Sequence, residues 1–365
     1  MPAKETVKEA AKDKTASRPK WLEQIHEDHS MARDWNKLEV VSSGILSLDH
    51  VTTRGGVPRG IMVDLYGDEG LGKTTMCLAM IAERIRMGEL CIYIDVEHKI
   101  QADLVLTIVP GTYLDENGRI RQKNNLFELI EPETAEDSLS VMDEALNHPE
   151  MKMIVLDSMA ALSFEEEREE DKFSQPMALQ ARKMSAFLRR IMNKIFEFQG
   201  FVVLINQMRS DLNAYKTPSK ATGGKAPKFY SSLRINMTKT DILGKAESPS
   251  GHRLKMRVEK CSFGPRGREG FVNIVYGVGF DRVQDLIDCG TELGIVVQNG
   301  GFIKIKTVDA KGEVVREIQG HGLEDFTEKV KPHLNEIRAY VYQAVVDHAK
   351  KGAEARRQAA IENAA

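Results

Sequence analysis

The sequence contains few cysteine and aromatic residues and almost no excess of charge. Its 365 residues include 4 Cys, aromatic residues make up 6%, and the formal net charge is −3. The cysteines are scattered, without the CxxC or Cys/His spacing of a zinc site, so we expect neither a disulfide framework nor a structural zinc ion. A net charge so close to zero neither favours nor excludes a nucleic-acid partner, because the sum hides any local basic groove.

Long apolar runs are also missing. No run approaches the roughly 20 residues that cross a bilayer, and the amino terminus, from Met1 to Glu5, has no signal-peptide core. We therefore expect a cytoplasmic protein without a membrane partner. With 42% hydrophobic and 29% charged residues, the chain can bury a substantial core. Its length suggests two domains, or one large domain with appendages.

An octapeptide, GDEGLGKT from Gly67 to Thr74, fits the phosphate-binding pattern G-x-x-x-x-G-K-[ST]. An apolar run at 61–66 precedes it and a helical pattern follows, which is the strand–loop–helix setting that the pattern needs. The glycines let backbone N–H groups face the phosphates, Lys73 neutralises the β- and γ-phosphates, and the Thr74 hydroxyl holds Mg²⁺. The sequence thus predicts a nucleoside triphosphate site formed by Gly67, Asp68, Glu69, Gly70, Leu71, Gly72, Lys73, Thr74 and Thr75.

Two further apolar runs end in carboxylates. Residues 154–157, with the sequence IVLD, form a Walker B pattern in which Asp157 would reach Mg²⁺ through water at the carboxyl edge of the sheet. Residues 92–96 form another predicted strand, and Glu97 falls just past its end. A carboxylate at that point can polarise a water for attack on the γ-phosphate, so Glu97 is our candidate catalytic residue, whereas Asp95 lies inside the strand.

A fourth apolar run, at 201–205, ends in Asn206 and Gln207. An amide at the sheet edge can bind the γ-phosphate and respond to its loss, and we assign this role to Gln207. A long polar stretch from Met208 to about Lys225 follows, and we expect it to be a mobile functional loop. Cationic side chains beside an aromatic one suit single-stranded nucleic acid, and this loop carries Arg209, Tyr215, Lys216, Lys220 and Lys225.

The apolar pattern divides the chain into five parts. Between residues 41 and 280, near-continuous apolar runs alternate with helical patterns, which predicts an α/β core with a mainly parallel sheet flanked by helices. Three later runs, at 232–238, 254–259 and 271–275, suggest antiparallel extensions of that sheet. The predicted parts are a disordered segment at 1–19, an N-terminal helix at 20–40 for docking on the core or a neighbouring subunit, the core at 41–280, a small α+β C-terminal lobe at 281–352 with a hairpin at 302–307 and a helix at 325–350, and a tail at 353–365.

These segments, in this order, resemble the RecA family of homologous-recombination ATPases, including its phage members. The resemblance runs from about Ser42 to Asp288. It rests on GVPRG at 56–60, IDVEH at 94–98, VLDSMAAL at 155–162, LINQMR at 204–209, TGGKAPKFY at 222–230, and VEK at 258–260 followed by YGVGFD at 276–281.

The resemblance implies a RecA-like P-loop core and a recombinase that requires ATP and Mg²⁺. Such a protein polymerises as a helical filament on single-stranded DNA, pairs it with homologous double-stranded DNA, and hydrolyses ATP in response to DNA. It would act in the cytoplasm of a bacterial cell or a phage-infected host. The implied catalytic residues are Glu97, Lys73, Gln207 and Lys260.

The resemblance also assigns roles at surfaces. Lys260 reaches the phosphates bound by a neighbouring subunit, Phe229 is an interface aromatic, and Tyr276 contacts the nucleotide. A first DNA loop corresponds to about 164–177, and arginines on the helix after it contact the DNA backbone. The implied DNA-binding residues are Met177, Arg182, Arg189, Arg209, Tyr215, Lys216, Thr222, Gly223, Gly224 and Lys225.

Two single residues and two longer stretches depart from the family pattern. Leu104 replaces an aromatic residue that stacks on adenine, and Val258 replaces a second lysine that acts across the interface. Residues 165–171 are strongly acidic, and we expect them to form a solvated face directed away from DNA. The tail carries Arg356 and Arg357 instead of a long acidic stretch, so the family's tail regulation is not carried over.

Two other functional classes share this core. A ring ATPase such as a replicative helicase would require a long amino-terminal primase-binding domain, for which we find no pattern. An accessory recombinase paralogue would bind ATP and cap or remodel filaments. The intact set of Lys73, Glu97 and Asp157 favours a catalytic protein over such a paralogue.

Overall fold

A ten-stranded sheet organises the computed structural model, which describes residues 35–164, 176–209, 220–221 and 226–362. The described part of the first 37 residues is a 3₁₀ turn, Trp35–Lys37, and the chain from Leu38 onward forms a separate compact unit. The predicted disordered segment at 1–19 and most of the predicted helix at 20–40 therefore lie outside the described residues.

Seventeen strands occur in the described residues. They are β1 (Val40–Val41), β2 (Val57–Pro58), β3 (Ile61–Gly67), β4 (Leu90–Asp95), β5 (Thr112–Leu114), β6 (Ile120–Gln122), β7 (Phe127–Ile130), β8 (Met151–Asp157), β9 (Phe201–Arg209), β10 (Lys220–Ala221), β11 (Leu233–Lys245), β12 (Ser248–Cys261), β13 (Glu269–Val275), β14 (Gly279–Phe280), β15 (Val296–Asn299), β16 (Phe302–Val308) and β17 (Val314–His321).

Nine α-helices accompany these strands in the described part of the chain. They are α1 (Leu46–Val51), α2 (Lys73–Arg86), α3 (Ala102–Ile108), α4 (Ala135–Ala145), α5 (Pro176–Glu197), α6 (Ala226–Tyr230), α7 (Arg282–Glu292), α8 (Gly322–Val330) and α9 (Leu334–Glu362).

The main sheet has the strand order β14-β13-β12-β11-β3-β9-β8-β4-β7, with β10 paired to β9. All neighbours from β11 to β7 run parallel, whereas β12, β13 and β14 add antiparallel strands at one edge. The prediction of a mainly parallel sheet flanked by helices is confirmed. Parallel strands are covered on both faces, which explains why every residue of β3 is buried.

Strand β11 differs from its prediction as an antiparallel extension. It runs parallel to β3, with Leu233 opposite Val63, and only its other edge pairs antiparallel with β12. This direction follows from the connection between β9 and β11. The segment that contains α6 returns the chain to the amino ends of the parallel strands before β11 begins. The sequence pattern missed this short helix.

The predicted loop from Met208 to Lys225 also begins later than expected. Strand β9 continues to Arg209, where it pairs antiparallel with β10, so that Arg209 lies opposite Lys220. A short hairpin ladder therefore ties the base of this loop directly to a central strand of the sheet.

Residues 282–362 contain a three-stranded antiparallel sheet, β15-β16-β17, packed with helices α7, α8 and α9. The predicted hairpin is present and gains a third strand. The single helix predicted at 325–350 is wrong, because a 3₁₀ turn, Lys331–His333, separates α8 from α9. Pro332 in this turn lacks the N–H that a continuous helix needs. Helix α9 extends to Glu362, past the start of the predicted tail, and the boundaries at 281 and 353 stay predictions.

A buried ion pair joins β3 to β11. Arg234 Nε donates to Asp64 Oδ2 at 2.7 Å, and Asn206 Nδ2 donates to Asp64 Oδ1 at 3.1 Å. The guanidinium lies 3.8 Å from the centre of the Tyr66 ring. Burial raises the pKa of Asp64, and the positive charge of Arg234 opposes that rise. Arg234 therefore compensates a carboxylate that is fully buried between the central strands.

Replacing Arg234 by Met should lower the free energy of unfolding by about 3–5 kcal/mol, because it leaves Asp64 buried without its cation. Urea denaturation measures the change. Lys329→Met is the matched control, since the Lys329–Asp325 pair is exposed and its loss should cost at most about 1 kcal/mol. Equal and small losses in both variants would contradict a stabilising role for the buried pair.

Candidate functional site

A cavity of about 320 Å³ opens at the carboxyl ends of the parallel strands, where the P-loop connects β3 to α2. Most of the residues predicted to bind nucleotide line it, together with several that were not predicted. The lining residues are Glu69, Gly70, Leu71, Gly72, Lys73, Thr74, Thr75, Asp95, Glu97, Lys99, Ile100, Asp157, Ile205, Gln207, His252, Ile274 and Tyr276.

The backbone of the P-loop requires glycine at several positions. Gly70 and Gly72 have φ values of 74° and 85°, in the left-handed region that other residues rarely adopt. A Cβ atom at Gly67 would lie 2.4 Å from the Met237 carbonyl oxygen, so the neighbouring strand leaves no room for a side chain. Helix α2 starts at Lys73, and its amino end therefore faces the cavity.

Lys73 places a buried positive charge at the start of α2. Its Nζ donates to the carbonyl oxygens of Gly67 at 3.0 Å and Asp68 at 2.6 Å. Burial lowers the pKa of Lys73, while the carboxylates of Asp157 and Glu97 raise it. The ammonium group is held on the P-loop itself, next to the space that an anion would fill.

Thr74 and Asp157 both line the cavity, and their side chains are in contact. Thr74 Oγ1 donates to Asp157 Oδ2 at 2.8 Å, and the Tyr93 hydroxyl donates to the same oxygen. Burial raises the pKa of Asp157, and the bonds from Tyr93 and Thr74 oppose this rise. A carboxylate and a hydroxyl are suitable ligands for Mg²⁺, which keeps several waters and phosphate oxygens in its coordination shell. None of the described residues form a cluster of three or more His, Cys, Asp or Glu that could hold a metal alone.

Glu97 lies two residues beyond the end of β4 and is held by several neighbours. Gln207 Nε2 donates to Glu97 Oε1 at 2.7 Å, and Ser158 Oγ donates to the same oxygen. Lys99 Nζ lies 3.2 Å from Glu97 Oε2. The fold thus brings together two predicted site residues, Glu97 and Gln207, that are 110 positions apart. These contacts fix the orientation of a carboxylate that faces the cavity.

Asp95 has a different task from Glu97. Its carboxylate accepts the backbone N–H groups of Glu97 at 3.1 Å, Lys99 at 3.0 Å and Ile100 at 2.9 Å. These bonds shape the turn that follows β4, so Asp95 determines where the Glu97 backbone lies. The arrangement favours Glu97 over Asp95 as the group that can orient a water.

Three lining or supporting residues escaped the sequence analysis. Tyr93 is fully buried inside β4 and reaches Asp157 from the adjacent strand. Lys99 is exposed and lies 3.6 Å from Glu69 as well as close to Glu97, so it bridges the P-loop and the β4 turn. His252 lies on β12 and contacts the Leu71 carbonyl. None of the three belongs to a local motif, and only the folded sheet brings them to the cavity.

Comparison with known proteins shows which family has this arrangement of site residues. The model of the RecA N-terminal domain matches residues 29–281, which is most of the chain.

The chain belongs to the RecA family. Protein RecA of Campylobacter fetus subsp. fetus is 34% identical over 267 residues, covering 73% of this chain and 74% of its own length. Protein RecA of Campylobacter lari is 33% identical over 276 residues, covering 75% and 77% of the two chains. Protein RecA of Nitratiruptor sp. is 33% identical over 303 residues, covering 82% and 84%.

Membership of the RecA family confirms the predicted fold and functional class. The chain is a recombinase of the DNA-dependent ATPase class, and it shares nucleotide binding, DNA binding and filament formation with its family. The relatives named above are bacterial. Across the described residues, we find no helix with the length and apolar character of a membrane span.

The predicted RecA-type interface residues form one contact within the subunit. Lys260 Nζ donates to the carbonyl oxygens of Lys228 at 3.0 Å and Phe229 at 2.8 Å, at the carboxyl end of α6. The Phe229 side chain is 68% exposed, which is high for a large aromatic residue. Burial lowers the pKa of Lys260, and the nearby Arg234 adds to this effect.

Neither Val258 nor its neighbour Arg257 takes the place of the second lysine that acts across the interface in the family. Val258 is completely buried, and Arg257 lies 3.3 Å from Glu259 and 3.8 Å from Glu269. Leu104, which stands where the family has an aromatic residue, is half-buried in α3. The aromatic rings that do line the cavity, within the described part of the chain, are His252 and Tyr276.

The predicted DNA-binding residues are only partly described. Arg182 and Arg189 are both exposed on α5, two helical turns apart and hence on one face. Met177 lies in the first turn of α5 and Arg209 at the end of β9, with side chains outside the described set. Tyr215, Lys216, Thr222, Gly223, Gly224, Lys225 and the acidic stretch at 165–171 also lie outside the described residues.

Proposed function

We propose that this RecA family chain binds ATP and Mg²⁺ in the P-loop cavity, forms helical filaments on single-stranded DNA, and pairs that strand with homologous double-stranded DNA. One contact carries the proposal: Gln207 donates to Glu97 at 2.7 Å. Two residues after Gln207, strand β9 ends at Arg209, at the base of the second candidate DNA loop. The same strand therefore connects the hydrolytic site to a DNA-binding segment.

The P-loop residues would hold the triphosphate. Lys73 and the N–H groups from Gly70 to Thr75 face the phosphates, while Thr74 and Asp157 bind Mg²⁺. The metal would neutralise charge on the phosphate oxygens. Asp68 contributes its carbonyl to the positioning of Lys73, and Glu69 lies at the rim. Tyr276 lies at the opposite side of the cavity from Glu97 and would contact the nucleoside.

Glu97 would orient the attacking water as a general base. Gln207 and Ser158 both donate to it, so the carboxylate is held in place before a water arrives. Because the Ser158 hydroxyl donates to Glu97, its role would be to orient this carboxylate. Preorganised donors of this kind cost no reorganisation during the reaction.

Gln207 would report the state of the nucleotide. Its amide donates to Glu97 in this structure, and a γ-phosphate would offer a competing acceptor in the same cavity. A change of partner at Gln207 would be transmitted along β9 to the β9–β10 ladder. ATP would thus shift the population of DNA-loop conformations, and hydrolysis would reverse the shift.

Neighbouring subunits would complete each ATP site. Lys260 lies at the end of β12 beside the exposed Phe229, and we assign both residues to the contact with the next subunit. A contact between two different surfaces is heterologous, and repetition of such a contact builds a helix. The N-terminal segment before the core would dock on the neighbour, and the chain would act in the cytoplasm of a bacterial cell or an infected host.

Removing Arg182 or Arg189 should weaken binding to single-stranded DNA and lower the salt dependence of log K by about 0.7 for each lost phosphate contact. The sequence of the strand should not matter, because phosphates carry no base identity. Fluorescence anisotropy with labelled poly-dT at several salt concentrations measures both quantities.

Arg190→Ala is the matched control for these arginines. Arg190 lies on the same helix, but it is 3.5 Å from Asp143 and packs over the Phe187 ring. Its removal should leave the salt dependence unchanged. An unchanged slope for Arg182→Ala and Arg189→Ala would remove both residues from the DNA contact.

The rate of ATP hydrolysis with and without poly-dT tests the proposed function. We expect strong stimulation by the strand, since DNA binding would favour the ATP-bound filament in which each site is complete. ATP binding without any stimulation would contradict the recombinase proposal and favour an accessory paralogue. Stimulated hydrolysis by closed rings would favour a helicase-like ATPase.

A further inference from the structure

His252 occupies a buried position between the P-loop and Tyr276. It lies on β12 and only 1% of it is exposed. Its Nε2 lies 3.3 Å from the Leu71 carbonyl oxygen, and its Nδ1 lies 3.3 Å from the Tyr276 hydroxyl. The two rings are 5.7 Å apart at an angle of 50°. One side chain thus links the phosphate loop to an aromatic ring that lines the same cavity.

The partners determine which nitrogen carries the proton. A carbonyl oxygen only accepts, so Nε2 donates to Leu71 and bears the hydrogen. In the neutral ring Nδ1 is then an acceptor, and the Tyr276 hydroxyl donates to it. Burial lowers the pKa of His252, which favours this neutral form at neutral pH. Both ring nitrogens and the tyrosine hydroxyl are satisfied by one arrangement.

The backbone around His252 is held in place by β13. A Cβ atom at Gly251 would lie 2.1 Å from the Ile274 carbonyl oxygen, so the two strands approach closely here. The Tyr276 N–H donates to the Ser250 carbonyl at 2.9 Å. With both backbones fixed, the remaining freedom of Tyr276 is in its side chain, and the bond to His252 restricts it.

The cavity has two sides that suit different parts of a nucleotide. Glu97 and Gln207 lie on the side of β4 and β9, whereas His252 and Tyr276 lie on the side of β12 and β13. Strand β3 and the P-loop separate these sides in the sheet order. A triphosphate whose γ end meets Glu97 therefore extends its nucleoside towards Tyr276, which is 49% exposed.

We propose that His252 is a positioning residue that holds the Tyr276 ring as the wall for the nucleoside and couples this wall to the P-loop. His252 thereby sets the affinity for nucleotides without touching the reacting atoms. The inference rests on the proposed nucleotide site. It names a specific source of nucleoside recognition in a chain that has Leu104, and not an aromatic residue, on α3.

His252→Leu should weaken the binding of ATP to the DNA-free protein by about tenfold, because it removes two hydrogen bonds. Calorimetry measures this dissociation constant. Inorganic tripolyphosphate, which has no nucleoside, should bind the variant as well as the wild type. His252→Gln should restore much of the ATP affinity, since an amide also carries one donor and one acceptor.

Tyr276→Phe provides a second, milder variant that removes only the hydroxyl. It should weaken ATP binding and leave tripolyphosphate binding unchanged. The double variant of His252→Leu and Tyr276→Phe should bind ATP no more weakly than His252→Leu alone, because both changes break the same link. His148→Leu is the control, as this histidine is exposed and lies near Glu144 and Glu150.

Three results would overturn the positioning role. They are unchanged ATP affinity in Tyr276→Phe, equal losses for ATP and tripolyphosphate in His252→Leu, and additive losses in the double variant. The second of these would mean that His252 only supports the fold of the P-loop. Failure of this inference can be distinguished from failure of the proposed function. ATP binding to the wild type and the variants is measured without DNA, and it does not require a filament.

Discussion

Glu97→Gln should reduce the rate constant of ATP hydrolysis by about 10²–10⁴-fold, the usual contribution of a positioned general base. An amide oxygen can still accept from Gln207 and Ser158, so the substituted side chain should keep its place. What disappears is the ability to take a proton from water. ATP affinity should therefore stay close to that of the wild type, which separates loss of chemistry from loss of binding.

A coupled phosphate-release assay and equilibrium ATP binding measure the two effects. Glu128→Gln is the matched control, because Glu128 lies on the neighbouring strand β7 and is half exposed, 3.4 Å from Arg121. It should hydrolyse ATP at the wild-type rate. Wild-type turnover in Glu97→Gln would exclude Glu97 as the general base, and Asp95 would become the candidate.

Lys260→Ala should reduce DNA-stimulated hydrolysis by about 10³-fold, in the range of cations that a neighbouring protein inserts into a phosphoryl-transfer site. Lys260 does not line its own cavity among the described residues, and it lies beside the exposed Phe229. In the proposed filament, this charge would reach the site of the neighbouring subunit. Lys255→Ala is the control, since Lys255 lies on the same strand, 3.6 Å from Glu269.

Mixing the two inactive variants provides a sharper test of the shared site. A Lys260→Ala subunit keeps Glu97, and a Glu97→Gln subunit keeps Lys260, so one of the two orders of neighbours is complete. With random heterologous assembly, an equal mixture should regain about a quarter of the wild-type rate. A mixture as inactive as its components would contradict a site shared between subunits.

The local parts of the site could be predicted from the sequence because the backbone requirements are encoded in adjacent residues. The glycines at positions 70 and 72 adopt left-handed conformations that the P-loop pattern demands. Asp157 and Glu97 were found because polar residues at the ends of buried parallel strands meet at one edge of the sheet. The parallel core was evident for a similar reason, as its strands read as continuous apolar runs.

The remaining parts depend on contacts between distant segments. Asp64 lies within the apolar run of β3, and its partner Arg234 is 170 positions away. His252 reaches Leu71 over 181 positions. The hydrophobic periodicity of the sequence does not predict such pairs, since they arise from the order of strands in the sheet. The direction of β11 was missed because α6, which has five residues, is too short to produce a clear helical period.

The most direct test of the account is homologous pairing by the purified protein. A filament assembled on a fluorescent single strand with ATP and Mg²⁺ is mixed with a quencher-labelled duplex of the same sequence, and strand transfer is followed by fluorescence. We predict rapid transfer with the homologous duplex, none with an unrelated duplex, and loss of transfer without nucleotide. ATP binding and filament formation with no difference between the two duplexes would contradict the recombinase account.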